Sequence, residues 1–160
     1  ACMVLAWWTR DLQGPWHAAA GYGLVLWALL RCSLAWRSTD RYSGWSCFLK
    51  PISVTWRYAQ SVWQGRATRY LGHNPLGGWM VLILLCLMLA LGVSGWLCTT
   101  EWFWGYAEPL EVHAAIAWLC LGCIVLHIAG VIFSSLMHRE NLVIAMITGR
   151  KRSAQGSDVG

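Results

Sequence analysis

Residues 111–137 read EVHAAIAWLCLGCIVLHIAGVIFSSLM, 27 positions in which Glu111 is the only formal charge. A helix needs about 20 mostly apolar residues to cross the hydrocarbon core of a bilayer, so this stretch reads as a membrane span. It carries two histidines, His113 and His127. Ionisable side chains within a span are costly and mark function. The two lie 14 positions apart. At 100° per residue that is four turns less about 40°, which puts both on one face of the helix. At 1.5 Å per residue they differ in depth by about 21 Å.

Outward from this stretch the rest of the chain has the same character. Of its 160 residues 58% are hydrophobic and 12% charged, and 13 are Trp. A soluble domain carries about 25% charged residues, and Trp concentrates where a membrane meets water. The predicted spans are residues 16–36, 75–97 and 111–137. Residues 1–8 are expected to be the end of a first span, truncated in this sequence. Asn74-Pro75 is a helix start, with Asn as cap and Pro in the first turn. Within the polar stretch 37–74, residues 51–64 predict a helix lying on the membrane surface, with Trp56, Ala59 and Trp63 on one face; a plain connecting helix is the alternative. A second short apolar segment, 142–147, follows the last span, and the tail 149–160 is expected to be disordered. The fold class is an all-α membrane protein, a single domain built as a four-transmembrane-helix bundle.

Loop charges set the expected orientation. Residues 37–69 contain six Lys or Arg against Asp40, and the end of the chain adds Arg139, Arg150, Lys151 and Arg152. The loop between the last two spans has no Lys or Arg and is bordered by Glu101, Glu108 and Glu111. The positive-inside rule places the basic loop and the C-terminus in the cytoplasm. For so apolar a chain the net charge of +5 is a topology signal, not a nucleic-acid footprint. Seven cysteines at irregular spacing argue against a disulfide framework. Cys120 and Cys123 form a C-x-x-C inside an apolar helix with no His after it, which excludes covalent haem attachment and reads as packing.

The histidines carry the chemistry. His17 opens the second span as His113 opens the fourth, and both spans run inward from the outer side, so the two lie at similar depth. Two imidazoles facing each other at one depth across a bundle can ligate one haem iron axially. Small residues follow His17, namely Ala18, Ala19, Ala20 and Gly21, leaving clearance for a flat macrocycle. His127 would serve a deeper haem. Arg31, also 14 positions beyond His17, lies level with His127 and reads either as a topology signal or as a propionate partner. His73, ahead of Asn74-Pro75, lies too shallow to face His127; a capping, propionate or quinone-site role suits it better. His138 suits a helix C-terminus. Zinc is a weaker reading, because no Cys or carboxylate accompanies the histidines at structural-zinc spacing.

These residues resemble the bacterial di-haem cytochrome b561 family, which is similar to the cytochrome b subunits of nickel–iron hydrogenases. Trp16-His17-Ala-Ala-Ala-Gly21-Tyr22 resembles its second-helix motif, with Arg31 where the family often has Arg. Arg69-Tyr-Leu-Gly-His-Asn-Pro-Leu-Gly-Gly78 is the most specific stretch. Leu110-Glu-Val-His113, Leu126-His127, His138-Arg-Glu-Asn-Leu-Val143 and Met146-Ile-Thr-Gly-Arg-Lys151 follow at the family's distances.

The resemblance implies two non-covalent b haems, one held by His17 and His113, the other by His127 and a first-helix His that this sequence does not contain. That His is expected about a dozen residues before Ala1. The implied function is respiratory electron transfer in the bacterial inner membrane. It would run between quinone and a periplasmic partner such as a c-type cytochrome or hydrogenase; as an enzyme it would be a quinone-linked oxidoreductase. The rival class is a non-redox transporter or assembly subunit whose histidines bind metal or protons; it would be colourless.

Overall fold

The computed structural model describes residues 2–10, 14–38, 44–103, 105–148 and 158–159, which fall into two compact units. In chain order the helices are α1 (Cys2–Trp8), α2 (Pro15–Arg37), α3 (Trp45–Phe48), α4 (Ile52–Trp63), α5 (Pro75–Leu97), a 3₁₀ turn (Glu101–Phe103), α6 (Glu108–Met137) and α7 (Leu142–Thr148). Three of them, α2, α5 and α6, are long and apolar enough to cross a membrane, at 23, 23 and 30 residues. At 1.5 Å per residue, 23 residues give about 35 Å, which exceeds the hydrocarbon core of roughly 30 Å. Their outward faces carry exposed Leu26, Trp27, Leu30, Trp118, Val125 and Phe133, as expected where lipid is the solvent.

The first unit comprises Ala1–Arg37 and Ile83–Gly122. Here α1 packs on α2, and the Trp7 ring meets the edge of Trp118 at 4.7 Å. α1 ends where the Thr9 hydroxyl and amide both donate to the Leu5 carbonyl, at 2.8 and 3.0 Å. α2 opens on Pro15, whose missing N–H costs nothing in a first turn. It buries Ala20, Leu24, Ala28 and Ala35, a stripe small enough to let helices approach closely. The same economy operates at Gly92 of α5, where a Cβ would collide with the Val25 side chain. α6 begins at Glu108, three positions earlier than the sequence reading, because Glu108-Pro109 itself forms the first turn; Glu108 and Glu111 place negative charge at its N-terminus.

The second unit comprises Ser38–Leu82 and Cys123–Gly160. α4 runs from Ile52 with Pro51 as its cap, and ends ahead of Gly65 at φ +67°, a left-handed position that glycine adopts without steric cost. Asn74 caps α5 as its sequence predicts: its Oδ1 accepts the Gly77 amide at 2.7 Å. Gly78 is required by contact, since a Cβ would lie 2.6 Å from the Phe48 carbonyl oxygen. The Trp79 indole N–H donates to the Lys50 carbonyl at 3.1 Å. Arg69 is buried and doubly bound to Glu140, with Nε to Oε2 at 2.9 Å and Nη2 to Oε1 at 3.0 Å, and its Nη1 donates to Asp158. The backbone at Arg69 and Leu71 pairs with Val159. Asp158 and Val159 are therefore held in place, in contrast to the disorder expected for the tail; the rest of 149–160 lies outside the described residues.

Candidate functional site

Within the first unit α2 and α6 bring His17 and His113 together. The ring centres stand 6.2 Å apart and the ring planes cross at 76°. Both side chains are half-buried. His17 is set by the first turn of α2, where its amide bonds the Gly14 carbonyl at 3.1 Å. Its Nδ1 lies 2.9 Å from the carbonyl oxygen of Ala6 on α1. A carbonyl only accepts, so this nitrogen carries the proton.

The Nδ1 of His113 lies 2.9 Å from the hydroxyl oxygen of Ser94 on α5. That hydroxyl also lies 3.2 Å from the Leu91 carbonyl, which takes its proton. The Ser94 oxygen therefore accepts from His113, and this ring too is protonated at Nδ1. Both rings thus leave Nε2 with its lone pair available. The partner on one ring nitrogen determines what the other can do, and here each imidazole keeps Nε2 free to accept a bond. Ser94 is itself buried. Gly95, the next residue, makes room for the ring: a Cβ there would come within 3.1 Å of His113 Cε1.

A sequence profile of the prokaryotic cytochrome b561 family matches residues 3–149. The chain belongs to the prokaryotic cytochrome b561 family. No curated protein and no solved structure matches it. Membership makes it a multi-pass membrane cytochrome that binds b-type haem and transfers electrons.

The paired histidines fit that cofactor. An imidazole nitrogen binds a first-row metal at about 2 Å and the ring centre lies about 1 Å further back, so two imidazoles sharing one ion separate their centres by roughly 6 Å. The pair at 6.2 Å has this spacing. Gly21, one turn beyond His17, would meet nothing within 4 Å if it carried a Cβ, while Ala20 beside it is buried. Among the described residues no group of three or more His, Cys, Asp or Glu is placed to hold a metal ion.

The remaining sequence candidates are not brought into this pair. His127 lies on the part of α6 that belongs to the second unit and is half-buried. Among the described residues it has no hydrogen-bond or ring partner. His73 packs its ring at 4.8 Å on Phe48, just ahead of the α5 cap. Arg31 is partly buried on α2 and already engaged. Sequence reasoning missed Ser94, Gly95 and the Ala6 carbonyl. Ser94 left one signal: it is the only hydroxyl between Pro75 and Leu97.

Proposed function

We propose that the protein carries electrons across the bacterial inner membrane, between the quinone pool and a periplasmic redox protein such as a c-type cytochrome or a hydrogenase. One haem is held by His17 and His113; a second, deeper one uses His127. The observation that carries the reading is the His17–His113 pair, 6.2 Å between ring centres with both Nδ1 atoms engaged.

When bound, haem supplies the one-electron couple. The chain's own groups prepare its site. Ala6 and Ser94 hold the two imidazoles in the ligating tautomer, and Gly95 lets α5 approach the His113 ring. Arg31 suits a propionate, and His73 suits a cap, a propionate or a quinone site. The basic loop 37–69 faces the cytoplasm, and Glu101, Glu108 and Glu111, all exposed beside exposed Trp102 and Tyr106, face a periplasmic partner whose complementary charge would steer encounter.

Spectroscopy of the full-length protein tests this. The purified protein should show a Soret band, and His17→Ala and His113→Ala should each abolish the same haem component. Imidazole planes near 76° should give that ferric haem the strongly anisotropic low-spin resonance of crossed axial ligands. Loss of two different components, or a colourless wild type, would falsify the reading.

A further inference from the structure

α4 turns three faces to three different surroundings. At 100° per residue Ile52, Trp56, Ala59 and Trp63 fall within an arc of about 60°. About 130° to one side of that arc stands Tyr58, which is 5% exposed and packs its ring at 5.4 Å on Tyr70. About 100° to the other side stand Ser53, Arg57 and Gln60, all exposed. The side of α4 that packs on the protein is thus the tyrosine side. The apolar arc is left uncovered: Ile52, Trp56 and Trp63 are 76%, 65% and 92% exposed. A helix that merely connects two segments in water does the reverse, burying its apolar stripe and exposing its polar one. An uncovered stripe that carries two indoles suits a layer that is apolar on one side and wet on the other.

The neighbours of the stripe point to what covers it. Ile52, Thr55, Trp56 and Ala59 border an open, apolar groove whose far wall is Leu76 and Trp79 of α5. These two stand in the first turns of a helix long and apolar enough to cross the bilayer. The stripe is therefore continuous with the lipid-facing surface at one end of α5. The stripe itself contains no cation, since Arg57 lies on the polar face, so apolar burial carries the contact.

We propose that α4 lies in the membrane surface, with Ile52, Trp56 and Trp63 set into the boundary between headgroups and acyl chains and Ser53, Arg57 and Gln60 turned to water. The partner is the bilayer itself, whatever the charge of its headgroups. A helix held in this way sinks its apolar face about 5–10 Å into that boundary.

Single spin labels in proteoliposomes test it, introduced through Ser53→Cys, Trp56→Cys, Gln60→Cys and Trp63→Cys in the full chain with its native cysteines replaced by alanine. Labels at the Trp56 and Trp63 positions should favour collision with oxygen and report a depth of about 5–10 Å. Labels at the Ser53 and Gln60 positions should favour collision with a water-soluble nickel chelate. The pattern should be the same in phosphatidylcholine alone and with phosphatidylglycerol added. If the cysteine-free chain does not fold, the native chain decides: lipids brominated at the top of their acyl chains should quench less fluorescence in Trp56→Phe and in Trp63→Phe than in wild type. Water-accessible labels at all four positions, labels at Trp56 and Trp63 shielded from both reagents as beneath another protein, insertion only with the anionic lipid, or equal quenching in the three chains overturns the proposal.

Discussion

Ser94 on α5 and His113 on α6 are joined at 2.9 Å through the serine oxygen and Nδ1. Because Leu91 takes the hydroxyl proton, the serine is the acceptor, and the bond fixes both the tautomer and the rotation of the imidazole. In a span otherwise free of hydroxyls, this one oxygen ties α5 to the candidate haem ligand on α6. His17 receives the matching service from a backbone carbonyl, which no substitution of side chain can remove.

Ser94→Ala should therefore unbalance the pair. Loss of a partner behind a metal-bound imidazole commonly weakens metal affinity about ten- to hundredfold. Haem proposed at this pair should be retained less well, and its potential should rise, because an imidazole that no longer shares its Nδ1 proton is a weaker donor to ferric iron. Ser94→Thr keeps the oxygen and should restore both. A redox titration in which Ser94→Ala, Ser94→Thr and wild type coincide would show that the hydroxyl does not act on the haem.

Gly95 should be intolerant of size in a graded way. A Cβ would stand 3.1 Å from His113 Cε1, tight enough that the ring must shift by a few tenths of an ångström. Gly95→Ala should lower the haem-to-protein ratio partially. Gly95→Val, whose branches point into the ring, should abolish that haem while circular dichroism reports unchanged helix. Full haem loading in the valine variant would mean that the ring is not confined from this side.

The three long helices were legible because apolar runs of span length leave few other readings, and Asn74-Pro75 announced a cap that the structure forms with Asn74 Oδ1 on Gly77. The approach of His17 to His113 followed from depth matching between two spans that run the same way. Ser94 was not legible: a serine in a span ordinarily bonds a carbonyl three or four residues back, as Ser94 does to Leu91, and its second partner depends on how α5 and α6 pack. The Arg69 cluster was beyond reach for a similar reason. Its partners lie 71 and 89 positions away, and charge patterning only speaks across a few turns.

Tyr58 carries a pH dependence. Burial, reinforced by the neighbouring Tyr70, pushes its phenol from 10.0 up to about 12. The folded chain therefore keeps this proton where the unfolded chain has lost it. The sign follows: stability is unaffected below pH 10, falls as pH rises from about 10 to 12, and levels off beyond. An alkaline absorbance titration should show a late phenolate limb that is missing in Tyr58→Phe. Superimposable late limbs in the two proteins would place Tyr58 in contact with water.

Arg69 is the group whose removal should cost the fold most. Its side chain is 5% exposed, and those of Glu140 and Asp158 are 8% and 5%. One cation thus neutralises two buried carboxylates, joining the segment before α5 to the end of α6 and to the backbone pairing at Val159. Breaking such a cluster from one side leaves uncompensated buried charge and typically costs about 3–5 kcal/mol. Arg69→Leu takes the shared cation from both carboxylates, whereas Glu140→Gln leaves Arg69 with Asp158 and retains a hydrogen-bonding oxygen. The arginine variant should therefore melt well below wild type, by roughly 10 °C for a chain of this size, and the glutamine variant should lie between them. The haem proposed at His17 and His113 should keep its spectrum in both below their melting points. Equal melting of Arg69→Leu and wild type in the same detergent would show that the three groups are solvated and that the cluster does not hold these segments together.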